Sequence, residues 1–253
     1  MRTVVIGASS GLGRSVAVAF AQRGEPVAML ARREERLAAA AGEGGPTAIP
    51  IRCDVTDHDS CTSAVEQAAE AMGGIDALVY TTGIGILRPI EELSVEDWSQ
   101  SFATNVIGAS IATAAALPHL KEAQGSAAYF SSISASLTPP WHGLAAYVTS
   151  KAALDKLVEA WHTEHPEVGF TRVTVGDCGG GEGDSATGFA DDWDREAAGD
   201  LVTQWYQRGY IAGALIDVAE LVDTVSAVLH RRPSARIPSV TIVPRLPLSH
   251  PDP

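Results

Sequence analysis

The chain has 253 residues, 45% of them hydrophobic, which is enough for one large α/β domain with a substantial buried core. Its 31 acidic side chains outnumber 18 basic ones, and the formal charge of −13 argues against a broad surface for nucleic-acid phosphates or anionic lipid. Three cysteines, Cys53, Cys61 and Cys178, lack the spacing of a zinc site or a disulfide framework; with no signal-peptide pattern and no apolar run of ~18 residues, the expectation is a soluble, cytoplasmic protein without a metal or membrane partner.

In chain order, "RTVVIGASS" is a β-branched run ending near Gly7 and reads as a buried strand. A helix is predicted through "GRSVAVAFAQRG", with Gly24 as its stop. Then follow "PVAMLAR" as strand, "REERLAAAAG" as helix, "TAIPIRCDV" as strand, "SCTSAVEQAAEAMG" as helix and "DALVYTTG" as strand. One long helix is expected through "SVEDWSQSFATNVIGASIATAAALPHL", then strand "SAAYFSS" and a helix from about Ala145 to His165. Strand "FTRVTVG", a helix near "DVAELVDTVSAVLH" and strand "SVTIVPR" complete the series. This alternation predicts βαβ units, a parallel sheet of about seven strands, and helices on both faces. Residues 176–210 open with "GDCGGGEGDSATGFA", too glycine-rich for a core element, and are expected to form a loop or lid over a site. The Pro-rich stretch 244–253 is expected to be a tail or an arm on a neighbouring subunit.

"GASSGLG" lies where the first strand hands over to the first helix. Gly7, Gly11 and Gly13 permit a sharp turn and a close approach of the backbone to a pyrophosphate, with Ser9, Ser10 and Leu12 between them, and the helix N-terminus favours negative charge. After the second strand, Ala31 stands where an acid would bind ribose hydroxyls, and Arg32 and Arg33 follow. Arg32 is expected to hold the 2′-phosphate of NADP(H), with NAD(H) as the alternative cofactor. Arg33 reads either as a second ligand or as a solvated charge beside Glu34 and Glu35.

"YVTSK" places Tyr147 and Lys151 one helical turn apart. A free phenol titrates near ~10, and a neighbouring ammonium favours its ionised form, so the pair suits general acid–base work near neutral pH. The string "SSISA" offers a strand-end hydroxyl from Ser132 or Ser134, while Ser131 and Ser136 read as local backbone partners.

The ordered set "GASSGLG", "DVTD", "TTG", "TNVIG", "SSIS" and "YVTSK" resembles the short-chain dehydrogenase/reductase family over nearly the whole chain. The resemblance implies a single doubly wound Rossmann-type domain over residues 1–253 that moves hydride between a nicotinamide and a ketone, aldehyde or secondary alcohol. It implies Tyr147 as acid–base, Lys151 as its partner, Asn105 as a relay residue, and Ser132 or Ser134 as the group that orients the carbonyl. It also implies an adenine contact at Asp54, further cofactor contacts at Val55, Thr82 and Gly83, and a homodimer or homotetramer. "YTTG" replaces the family's Asn-Asn-Ala-Gly, and Asp177 and Cys178 stand where Pro-Gly is usual, with Thr187 as the following hydroxyl. Trp141, His142, Phe189, Trp193, Trp205 and Tyr206 border the expected pocket, which suits an apolar or ring-bearing small molecule. A cofactor-binding protein with little catalytic activity is the rival reading.

Overall fold

The computed structural model describes residues 1–181, 186–232 and 234–245. Seven strands, β1 (Thr3–Ile6), β2 (Val27–Ala31), β3 (Ala48–Arg52), β4 (Ala77–Tyr80), β5 (Ser126–Ser132), β6 (Gly169–Val175) and β7 (Ser239–Ile242), form one sheet in the order β3-β2-β1-β4-β5-β6-β7. Every adjacent pair is parallel. The order reverses between β1 and β4, and a crevice at the carboxyl ends of the strands is the expected ligand site for such a sheet.

Strand side chains alternate between two cores, as a pleat with both faces covered requires. Val4, Ile6, Leu78, Tyr80, Ala127 and Tyr129 pack under helices α3 (His58–Met72), α5 (Gly108–Ala123) and α7 (Ala145–Glu164). Val5, Val79, Ala128 and Phe130 pack on the other face against α1 (Gly11–Gln22), α2 (Glu34–Gly44) and α9 (Val218–Leu229). The helices next to the sheet use alanine heavily, with Ala64, Ala68, Ala109, Ala112 and Ala116 all buried, so their backbones lie close to the strands.

The expected long helix is divided. It comprises α4 (Val95–Phe102), a π-turn (Ala103–Ile107) and α5, because one residue too many is accommodated where Asn105 turns inward. By length and composition the run Val95–Ala123 is apolar enough to cross a membrane, contrary to the expectation above; half of its apolar window is buried inside the protein. Among the described residues, two α-helices go beyond the expected set, besides a 3-10 turn at Ile90–Glu92. The four-residue α6 (Ile133–Ser136) follows β5, and α8 (Arg195–Gln207) lies within the expected lid, started by the Asp194 carboxylate accepting from Ala197 N. Residues 182–185 of the glycine-rich loop and 246–253 of the expected tail lie outside the described residues.

Candidate active site

The glycine turn shows why the sequence spends glycine there. Gly7 has φ +96° and Gly11 φ +57°, both in the left-handed region. A side chain at Gly13 would run into the Gly7 carbonyl and the Thr81 hydroxyl, so α1 can start this close to the strand edge only without one. Ser10 is the N-cap of α1, yet its side chain makes no capping bond and the first turn carries no acid. The first amides of the helix are thus available to an anion, with the helix dipole behind them.

A cleft of about 590 Å³ opens from this turn. It is lined by Gly7, Ser9, Ser10, Gly11, Leu12 and Gly13, by Arg32 and Arg33 at one end, and by Thr82, Gly83, Ser132, Tyr147 and Lys151 at the other. Val55 and Cys53 also line it, whereas Asp54 turns to its own loop, where its carboxylate accepts from Thr56 N at 3.0 Å and Thr56 Oγ1 at 2.7 Å. Arg33 is the better anchored arginine: its guanidinium donates to Ser9 Oγ at 3.3 Å and Ser10 Oγ at 2.5 Å, reaching over the turn. Arg32 is exposed at the cleft wall. Glycines with no space for a Cβ, uncapped amides and two arginines are a donor set that fits a dinucleotide phosphate group.

At the other end, Ser132 is both the last residue of β5 and the N-cap of α6, which sets its hydroxyl at the cleft edge. Ser134 stands one step behind, 1% exposed, with its hydroxyl 2.9 Å from Ser132 Oγ and its amide donating to the same atom. The Tyr147 phenol is pushed up to about 12 by burial, opposed by its hydrogen bond with Ser132. Lys151 is pulled down to about 8 by burial, opposed by the charge of Asp155. Its ammonium donates to the Phe130 carbonyl at 2.8 Å and lies 5.9 Å from the Tyr147 ring centre. The phenol thus moves opposite to the depression expected from the lysine, because burial sets the direction, and Tyr147 is protonated at neutral pH.

Asn105 does not point at water as a mid-helix asparagine usually does. The π-turn aims it inward, where its side-chain oxygen accepts from Ile84 N at 2.9 Å and its amide donates to Ile84 O at 3.0 Å and Ser150 Oγ at 2.8 Å. Ser150 in turn donates to the Tyr147 carbonyl at 2.7 Å. Ser150 was not singled out from the sequence; its place inside "YVTSK" was the available signal. Gly83 lies between these groups, since a Cβ there would fall 3.1 Å from Lys151 Nζ and 3.6 Å from Asn105 Oδ1.

Above Tyr147 sits Phe189, edge-on with ring centres 4.9 Å apart. Trp193 packs on Phe189 and donates its indole N–H to Gly85 O at 2.7 Å, and Trp205 packs on Trp193 and Trp141. Tyr206 is 61% exposed, outside this group, and His142 is exposed, contributing its carbonyl to Trp205 Nε1 at 3.0 Å. Asp177 and Thr187 both line the cleft; the Asp177 carboxylate accepts from Ala212 N at 2.6 Å and its carbonyl from Ile216 N at 2.8 Å, which ties the chain after β6 to the segment before α9. Burial pushes the Cys178 thiol up to about 11, away from a reactive thiolate.

A doubly wound parallel sheet with a glycine-turn cleft at its switch point defines a dinucleotide-binding α/β protein. The family model for short chain dehydrogenases matches residues 2–192, and the chain belongs to the short-chain dehydrogenase/reductase family. Among curated proteins it is 32% identical over 179 residues to 11-beta-hydroxysteroid dehydrogenase A of Sesamum indicum, covering 68% of this chain and 51% of that protein. It is 37% identical over 166 residues to a short chain dehydrogenase of Pseudocercospora fijiensis, covering 64% and 53%. The matched stretch thus spans about half the length of these relatives. Among solved structures, an alcohol dehydrogenase from Thermococcus sibiricus, complexed with 5-hydroxy-NADP, superimposes with a TM-score of 0.77 at 25% identity over 95% of this chain and 94% of that one.

Proposed function

We propose that the chain is an NADP(H)-dependent oxidoreductase that reduces a ketone or aldehyde, or oxidises the corresponding secondary alcohol. The observation that carries this reading is one cleft joining a phosphate-binding turn to the Ser132–Tyr147–Lys151 group. The nicotinamide supplies or takes the hydride when bound. In the reducing direction Tyr147, kept protonated by burial, gives its proton to the carbonyl oxygen while Ser132 donates a hydrogen bond to that atom. Ser134 steadies Ser132, and Asn105 with Ser150 fixes the helix turn that carries Tyr147. Lys151 holds positive charge beside the phenolate left behind. Ile84, Phe189 and the aromatics behind it form an apolar wall, which suits a ring-bearing substrate, the class that the hydroxysteroid dehydrogenase relatives are named for.

Turnover on a panel of cyclic and aromatic carbonyls tests the chemistry. Tyr147→Phe is expected to lower kcat by roughly 10²–10⁴, the usual contribution of a positioned general acid. Tight cofactor binding with equal, negligible turnover in wild type and mutant favours a cofactor-binding sensor instead. Cofactor choice rests on Arg32 and Arg33 at the cleft end. Arg32→Ala is expected to weaken NADPH binding by about tenfold or more with NADH unchanged, because a charge-assisted hydrogen bond to phosphate is worth about 1.5–3 kcal/mol. Equal wild-type affinities for the two cofactors would exclude the 2′-phosphate site.

A further inference from the structure

Behind Lys151, on the side away from the cleft, lies a buried polar group that the proposed reaction does not use. Asp155 follows Lys151 by one turn of α7 and is 6% exposed. One carboxylate oxygen lies 3.7 Å from Arg172 of β6. The other is buried without a hydrogen-bond partner, and so is the hydroxyl of Ser131 on β5; burial raises the Asp155 carboxyl above its ordinary value, opposed by Ser131 and by the charges of Arg172 and Lys151. Ser131 also lines the cleft.

We propose that Asp155 is a positioning residue for the reaction: its carboxylate keeps Lys151 charged, and Arg172 limits how much of that charge reaches Lys151. The inference rests on the role given to Lys151 above. The groups facing Lys151 are Tyr147 and Asp155 on its own helix, the Phe130 carbonyl of β5, and Gly83 with Asn105 from the loop and π-turn opposite. Of these, Asp155 alone carries a negative charge, so beside the Phe130 carbonyl it is the charged group that offsets the cost of burying an ammonium in this place. The groups facing Asp155 are Lys151 and Glu159 on α7, Ser131 on β5 and Arg172 on β6. Arg172 is shared, reaching Glu159 at 3.3 Å as well. Removing the carboxylate leaves only the Phe130 carbonyl against desolvation, and the lysine then loses its proton at lower pH. Removing Arg172 leaves the carboxylate less neutralised, and the lysine keeps its proton to higher pH. A residue that only fills space would not produce these opposite signs.

The test is the pH profile of carbonyl reduction in Asp155→Asn and Arg172→Gln, together with the pH dependence of Lys151 acetylation by acetic anhydride, read by peptide mass spectrometry without cofactor. The alkaline limb and the acetylation midpoint are expected to move to lower pH by about one unit in Asp155→Asn, and to higher pH in Arg172→Gln. Wild-type midpoints in both variants, or midpoints that move the same way, overturn the proposal. If Asp155→Asn does not fold, Arg172→Gln carries the test alone, and an unmoved or lowered midpoint overturns it. If the acetylation midpoints move as expected while no carbonyl is reduced by any form, the positioning role stands and the oxidoreductase reading falls.

Discussion

Lys151 is 4% exposed, its ammonium donates to a strand-end carbonyl, and burial pulls its pKa from 10.5 to about 8. A lysine whose pKa is lower folded than unfolded binds fewer protons folded, so it weakens the fold fully below about pH 8, and that cost fades as pH rises toward 10.5. At 1.36 kcal/mol per pH unit the cost at neutral pH is about 3 kcal/mol. Lys151→Met, which keeps the length of the stem and removes the charge, is therefore expected to raise unfolding free energy at pH 7 by about 1–3 kcal/mol while abolishing turnover. Urea unfolding at pH 7 and pH 10 checks it: the gap between mutant and wild type is to shrink at the higher pH. A mutant less stable than wild type at pH 7 would show that the hydrogen bond to Phe130 outweighs desolvation.

At the scale of elements, two indole donors, among the described residues, hold the segment between β6 and α9 to the rest of the site. Trp193 bonds to Gly85 O on the loop after β4, and Trp205 bonds to His142 O on the loop before α7. Phe189 occupies the space that a side chain at residue 85 would need, since a Cβ on Gly85 would overlap its ring. Gly85→Ala is expected to drive Phe189 off Tyr147 and loosen Trp193, lowering kcat/KM by about tenfold for small substrates with little change in global stability. Phe189→Ala is expected to do the same, and the double mutant to be no worse than either, because both remove one contact. Tryptophan fluorescence and limited proteolysis after residue 186 report the loosening. This segment also shows where sequence reasoning stopped. Its aromatics were visible as pocket candidates, but α8 was not, because in "REAAGDLVTQWYQ" only Trp205 is buried and the apolar period is too thin to read. Asp194 at its N-cap and Gly209 with φ +69° beyond its end were the local signals. The Tyr147–Lys151 pair and the glycine turn were legible because their chemistry is written within seven residues or fewer of chain. Asn105 to Ser150 and Asp155 to Arg172 join different elements, and only the folded sheet brings them together. The choice between Ser132 and Ser134 turned on where β5 ends, a boundary that spacing alone does not fix.

Across the whole molecule, the two ends of the sheet do different work. The carboxyl ends of the strands carry the cleft, while the amino ends are tied together by a cluster around Asp76. Its carboxylate accepts from Arg2 N at 2.7 Å and Arg2 Nε at 3.1 Å, and its carbonyl accepts from Ser126 N at 3.1 Å, so one residue joins the strand starts of β1, β4 and β5. Gly125 must lack a side chain for that carbonyl to approach. The hydrogen bonds from Arg2 hold the Asp76 carboxyl below its usual range, so its contribution to stability is present above the unfolded value of 3.8 and is lost as pH falls through the lower folded value. The pair is about one-third exposed, which screens it and limits its worth to about 1 kcal/mol. Asp76→Asn is expected to lower the melting temperature by a few degrees at pH 7, with the gap from wild type narrowing as pH falls below 3.8. Because the cluster lies at the opposite edge from the glycine turn, NADPH affinity in the folded mutant is expected to equal that of wild type. A mutant that loses cofactor affinity along with stability would show that the amino edge of the sheet sets the geometry of the cleft, and the division of labour between the two edges would fail.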